Sequence, residues 1–209
     1  MAHRAPKKTN IPDYIEFLLL PESYPHPIDG QVELLQTHIS FVIVAGEYVY
    51  KWKKPVSFGF VDFSTLAKRK FFCEREVYLN RRLCPEIYLE TVPLCREGQS
   101  FHLQGTGEVI EYGVKMARMP EEGMLNRVIA AGQLRREHLA LIVDILVPFY
   151  QQAGQGVEVR ENGRASAVAR TVTNNFAETA CFVGGASLSP ARFTKIKERA
   201  VAFLAREEL

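Results

Sequence analysis

Two runs rich in β-branched and aromatic residues, 39–45 and 48–56, are separated only by Gly46 and Glu47. Two residues leave room for a tight turn and nothing more, so the runs pair as an antiparallel hairpin. A helical segment follows over 65–83, with Ser64 as its N-cap, no Gly or Pro inside, and Pro85 just beyond. Strands are expected over 87–95 and 100–104, around the turn 96–99, and over 108–118, where Pro120 stops the run. Before the hairpin lie a flexible arm (1–12), a short helix (13–20, ended by Pro21) and a Pro-rich loop (21–30). After Pro120 the pattern turns helical over 124–131, 135–153, 165–181 and 190–208, with a polar loop at 154–163. Strands first and helices after describe an α+β chain of two lobes, 1–119 and 120–209, joined near 116–123.

Apolar residues make up 47% of the 209, enough for a sizeable core. Lys and Arg number 26 against 24 Asp and Glu, a net charge of +2, which excludes bulk electrostatic binding of nucleic acid. A local basic patch, Lys51, Lys53, Lys54 with Lys68, Arg69, Lys70, keeps a nucleic-acid domain as the weakest alternative. Cys73, Cys84, Cys95 and Cys181 form no C-x-x-C pair, so neither a zinc site nor a disulfide framework is expected. The basic start lacks an apolar leader, and no apolar run nears the roughly 18 residues of a membrane span. A cytoplasmic protein without membrane contact is the expectation.

The chemistry concentrates on the second strand of the hairpin. Side chains alternate along a strand, so Val49, Lys51 and Lys53 share one face and Tyr50, Trp52 and Lys54 the other. A small apolar residue two positions before a lysine can line a nucleotide base while the lysine reaches the phosphates. Lys51 fits that role with Val49; assigning it to Lys53 would set Lys51 against the base. The alternative is a solvated lysine edge. On the following helix, Phe72, Glu76, Leu79 and Leu83 fall on one face at 100° per residue. A carboxylate on such a stripe calls for a cation, so Glu76 is expected to meet Lys51. Glu74 points to the surface near Lys70. Upstream, the turn at Thr37-His38-Ile39-Ser40 offers backbone N–H groups and the Ser40 hydroxyl to phosphates; alternatively, Ser40 only starts a strand and His38 only occupies a turn. Asp62-Phe63-Ser64 precedes the helix, and Asp62 reads as a turn residue.

These residues together resemble the aminoglycoside phosphotransferase-like kinases. The resemblance rests on Thr37-His38-Ile39-Ser40, Ala45-Gly46, Val49-Tyr50-Lys51-Trp52-Lys53-Lys54-Pro55-Val56, Asp62-Phe63-Ser64-Thr65-Leu66 and Leu79-Asn80-Arg81-Arg82-Leu83-Cys84-Pro85. It is dense over 37–94 and looser to about 130; Asn174-Asn175-Phe176 looks like part of the family's helical lobe. It implies a protein-kinase-like N-lobe followed by an incomplete helical C-lobe, ATP with Mg²⁺, and phosphoryl transfer to a small-molecule hydroxyl. It also implies a hinge at 116–120, where the main chain over 116–119, with Met116, Ala117 and Met119, hydrogen-bonds the adenine, Val42, Val49 and Met116 sandwich the base, and Ser40, His38, Lys51 and Glu76 lie on the phosphate side. Met116 and Met119 also read as plain core filler.

The family's catalytic loop reads H-G-D-x-x-x-x-N, followed by a metal-binding Asp. None of the five His has Asp two residues on, and Asp13, Asp29, Asp62 and Asp144 are the only Asp residues. The expectation is the N-terminal portion of an ATP-dependent phosphotransferase, inactive by itself, lacking the Mg²⁺ ligands and self-associating through an exposed apolar face. The alternative is a non-catalytic, pseudokinase-like nucleotide-binding module.

Overall fold

The computed structural model describes residues 11–185 and 188–205. The arm expected over 1–12 lies outside the described residues except for its last two positions, and so do 206–208 of the final expected helix. The chain divides into two compact units, Met1–Ile142 and Val143–Leu209.

Helix α1 (Asp13–Leu18) is followed by β1 (Glu33–Gln36), β2 (Ser40–Ala45), β3 (Tyr48–Lys53), the small hairpin β4 (Ser57–Phe58) and β5 (Val61–Asp62), helix α2 (Leu66–Asn80), then β6 (Tyr88–Glu97), β7 (Ser100–Leu103) and β8 (Glu108–Ala117). Six strands form one antiparallel sheet in the order β1-β2-β3-β8-β6-β7, and the fold is α+β. The β2–β3 turn is the expected tight one. Ala45 pairs with Tyr48, and Gly46 takes φ +62°, where a side chain would be strained.

The sheet is covered on both faces. On one, Phe41, Ile43, Tyr50, Trp52, Val92 and Leu94 pack against Ile15 and Leu18 of α1 and against Tyr24. Full burial of each large apolar side chain contributes about 1.5–3 kcal/mol. Trp52 lies so close over β8 that a Cβ on Gly113 would stand 2.9 Å from its ring atoms. On the other face, Cys73 and Val77 of α2 pack on Val114 with Tyr88, Tyr112 and Met116. Arg69 Nε of α2 donates to both carboxylate oxygens of Glu111 at 2.8 Å, and its Nη1 donates to Phe63 O at 3.0 Å.

Helix α2 departs from its sequence reading in three ways. Its N-cap is Thr65, whose Oγ1 accepts from Lys68 N, because the Ser64 hydroxyl is taken by Asp62 Oδ1 at 2.6 Å. It ends at Asn80, three residues early. Its buried residues are Arg69, Cys73 and Val77, while Leu79 and Leu83 stay exposed. A small Cys and Val let the helix lie close to the sheet, and an ion pair brings in an arginine that hydrophobicity would place outside.

The α-helices that follow the sheet are α3 (Leu125–Ala130), α4 (Arg136–Gln151), α5 (Val157–Asn162), α6 (Ala165–Thr179) and α7 (Pro190–Leu204). Helix α5 lies within the stretch 154–163 expected as loop; Gly156 and Gly163 bracket six residues free of breakers. Among the described residues, none beyond Val114 is buried. Phe176 of α6 and Phe193 of α7 make an edge-to-face ring contact at 5.6 Å, yet Leu141, Ile145, Val157 and Phe203 stand more than half exposed.

Candidate functional site

Strand β3 turns Tyr50 and Trp52 into the α1-side core, and the alternation sends Lys51 and Lys53 to the α2 side. There both lysines converge on one carboxylate. Lys51 Nζ donates to Glu76 Oε1 at 2.8 Å, and Lys53 Nζ donates to Glu76 Oε2 at 2.7 Å. The expected Lys51–Glu76 pair is thus half of a three-member group that carries one net positive charge. Burial pushes the Glu76 carboxyl up, but the hydrogen bonds and charges of both lysines outweigh it and hold the group below its ordinary value. Glu74 is exposed and only 3.8 Å from Lys70.

The ladder sets an apolar strip beside Lys51. Val42 stands opposite Lys51 and Val44 opposite Val49 on β2; Val114 stands opposite Lys51 and Met116 opposite Val49 on β8. Val42, Val44, Val49 and Met116 are only half-buried. The strip thus ends beside a group that carries one excess positive charge.

The other nominated residues are placed less favourably. In the 37–40 turn, Thr37 Oγ1 accepts from Ser40 N at 2.9 Å and from Ile39 N at 3.3 Å, so two amides expected to cradle phosphate are already engaged. His38 is exposed. Ser40 is 1% exposed, opposite Lys53, and its buried Oγ has no hydrogen-bond partner among the described residues. At the expected hinge, Ala117 N donates to Ile87 O and Arg118 N to Glu47 O, both at 2.8 Å, so these two amides are already engaged. Met119 is exposed and lines a cavity of about 400 Å³ with Glu47, Arg118, Glu121 and Glu122.

Lys53 as a second partner of Glu76 escaped the sequence reading, although its spacing from Lys51 put it on the same face. Its burial depends on Phe63, whose ring centroid lies 4.9 Å from Nζ. Cys73 is fully buried, and that burial pushes its thiol up to about 12. Asp62 accepts from Ser64 N and from Lys68 Nζ; those hydrogen bonds hold it well below the usual carboxylate range, as a turn residue. Among the described residues, no three His, Cys, Asp or Glu side chains stand together to hold a metal ion. No described helix is long and apolar enough to cross a membrane.

No protein-family model matches the chain, and no solved structure matches it. It is 32% identical over 155 residues to "Uncharacterized protein Rv2004c" of Mycobacterium tuberculosis (strain ATCC 25618 / H37Rv) and, to the same extent, to "Uncharacterized protein Mb2027c" of Mycobacterium bovis. The match takes in 73% of this chain and 30% of each relative. The chain thus spans under a third of the length of the curated relatives it matches.

Proposed function

We propose that the sheet-bearing part of this chain binds ATP as a protein-kinase-like N-lobe of the aminoglycoside phosphotransferase-like kind, and that phosphoryl transfer to a small-molecule hydroxyl is the activity it serves. The observation that carries this reading is the meeting of Lys51 and Glu76 at 2.8 Å beside the half-open strip Val42, Val49 and Met116. The strip takes the adenine and Lys51 the phosphates. Of the hinge amides expected to hold the base, those of Ala117 and Arg118 are occupied, so apolar packing carries more of the base recognition.

Transfer by this chain alone is not expected, because no H-G-D motif supplies a base for the acceptor hydroxyl. Of the basic residues behind the nucleic-acid alternative, Lys53 and Arg69 are enclosed in ion pairs with Glu76 and Glu111, and Lys54 donates to Thr37 O.

Calorimetry or saturation-transfer NMR with ATP and adenosine tests the reading. ATP is expected to bind with a Kd of ~0.1–1 mM, since few contacts offset the ordering cost, with little dependence on Mg²⁺. Lys51→Ala should remove the advantage of ATP over adenosine. No binding at millimolar ATP by the wild type would end the nucleotide reading.

A further inference from the structure

The two lysines on Glu76 are not equivalent. The Lys53 side chain is 5% exposed, wedged between Glu76 Oε2 and the Phe63 ring, whereas the Lys51 side chain is 30% exposed beside the apolar strip. Glu76, at 14%, is too buried to be left without a cation cheaply. If Lys51 were its sole partner, any ligand drawing Lys51 away would strand a buried carboxylate. With Lys53 fixed on the other oxygen, Glu76 stays neutralised wherever the Lys51 head group goes. Lys53 itself has no such freedom, because its ammonium is enclosed.

We infer that Lys53 is a positioning residue, the standing counter-ion of Glu76, and that it frees Lys51 to carry its charge to an anionic ligand. The identity of that ligand as a nucleotide phosphate rests on the reading above; the division of labour between the lysines does not. It makes the pair on Glu76 a holder and a donor rather than two copies of one contact.

Competitive labelling of lysine amines with trace acetic anhydride, read by peptide mass spectrometry on the full chain, tests the division without any nucleotide. In Lys53→Met, Lys51 becomes the only cation on Glu76, and its labelling should fall several-fold. In Lys53→Arg, which restores the standing charge, labelling should return to the wild-type level. Equal Lys51 labelling in all three proteins overturns the inference. Should Lys53→Met fail to fold, Lys53→Gln keeps a hydrogen-bond donor beside Glu76 without the charge and carries the same expectation.

ATP and adenosine affinities supply the second readout. Lys53→Met should weaken ATP roughly tenfold, the equivalent of losing one charge-assisted hydrogen bond, and leave adenosine unchanged. Equal weakening of both ligands would mark Lys53 as merely structural and overturn the inference. If the wild type binds neither ligand, the nucleotide reading fails, and the labelling series alone decides the role of Lys53.

Discussion

The sheet and the helices after it bury their apolar residues very differently. Strands β2, β3, β6 and β8 hold Ile43, Trp52, Val92, Leu94 and Val114 at complete burial, under α1 on one face and α2 on the other. Helices α3 to α7 bury no residue, although α4 reads L-A-L-I-V-D-I-L-V across its middle. Apolar content is therefore a poor guide to a core. What separates the regions is that the sheet brings distant segments together, as in the Arg69–Glu111 pair 42 residues apart, whereas the helices mostly satisfy only their own backbones. The Lys51–Glu76–Lys53 group belongs to the region with the core, where β3 and α2 are held firmly enough for two ammonium groups to meet one carboxylate.

The sharpest way to break this contrast is to remove Arg69. Arg69→Ala would leave Glu111 buried without its cation, and the sheet region should lose about 3–5 kcal/mol in urea denaturation. A loss below 1 kcal/mol would mean the pair is open to water. Leu94→Ala in the core should cost about 2–5 kcal/mol, while Leu141→Ala on exposed α4 should stay within about 0.5 kcal/mol. Comparable losses would show that α4 is covered. Gly113→Ala should cost about 1–3 kcal/mol, since its new methyl group meets the Trp52 ring. Trp52 fluorescence reports the disturbance directly.

The smallest effect concerns acid. The Glu76 carboxyl is held below its ordinary value in the folded chain, so its ionised form stabilises the fold above the unfolded-state value of about 4.3 and that contribution is lost as pH falls through the folded value. Urea midpoints between about pH 3 and pH 6 should fall more steeply for the wild type than for Glu76→Gln. Parallel curves would mean that Glu76 is not ionised beside the lysines.

Much of the sheet was legible because its signals are local. Gly46-Glu47 dictated the hairpin, and strand alternation put Lys51 and Lys53 on one face. The Lys51–Glu76 meeting was anticipated although the stripe invoked for it was misplaced: Leu79 and Leu83 stay exposed, while Glu76 turns to the lysines of β3. The buried stripe of α2 was not, since Arg69 is buried only because Glu111 waits in β8, and no local pattern reports a partner so distant. The second lysine was missed for a similar reason: Phe63 closes over Lys53, and aromatic shielding of an ammonium has no spacing rule. The engaged amides of Ile39, Ser40, Ala117 and Arg118 show the same limit, because a backbone donor's availability depends on which oxygen the fold brings to it.

Amide hydrogen exchange along the whole chain, with and without millimolar ATP, tests the central claim most directly, because it reads the core and the site together. Nucleotide binding on the sheet predicts slow exchange over 40–53, 66–80 and 88–117 in the free protein and fast exchange over 125–204. Protection added by ATP should be confined to 42–53, 72–80 and 114–119, and it should vanish in Lys51→Ala. ATP-dependent protection appearing only in 125–204, or surviving unchanged in Lys51→Ala, would contradict the claim.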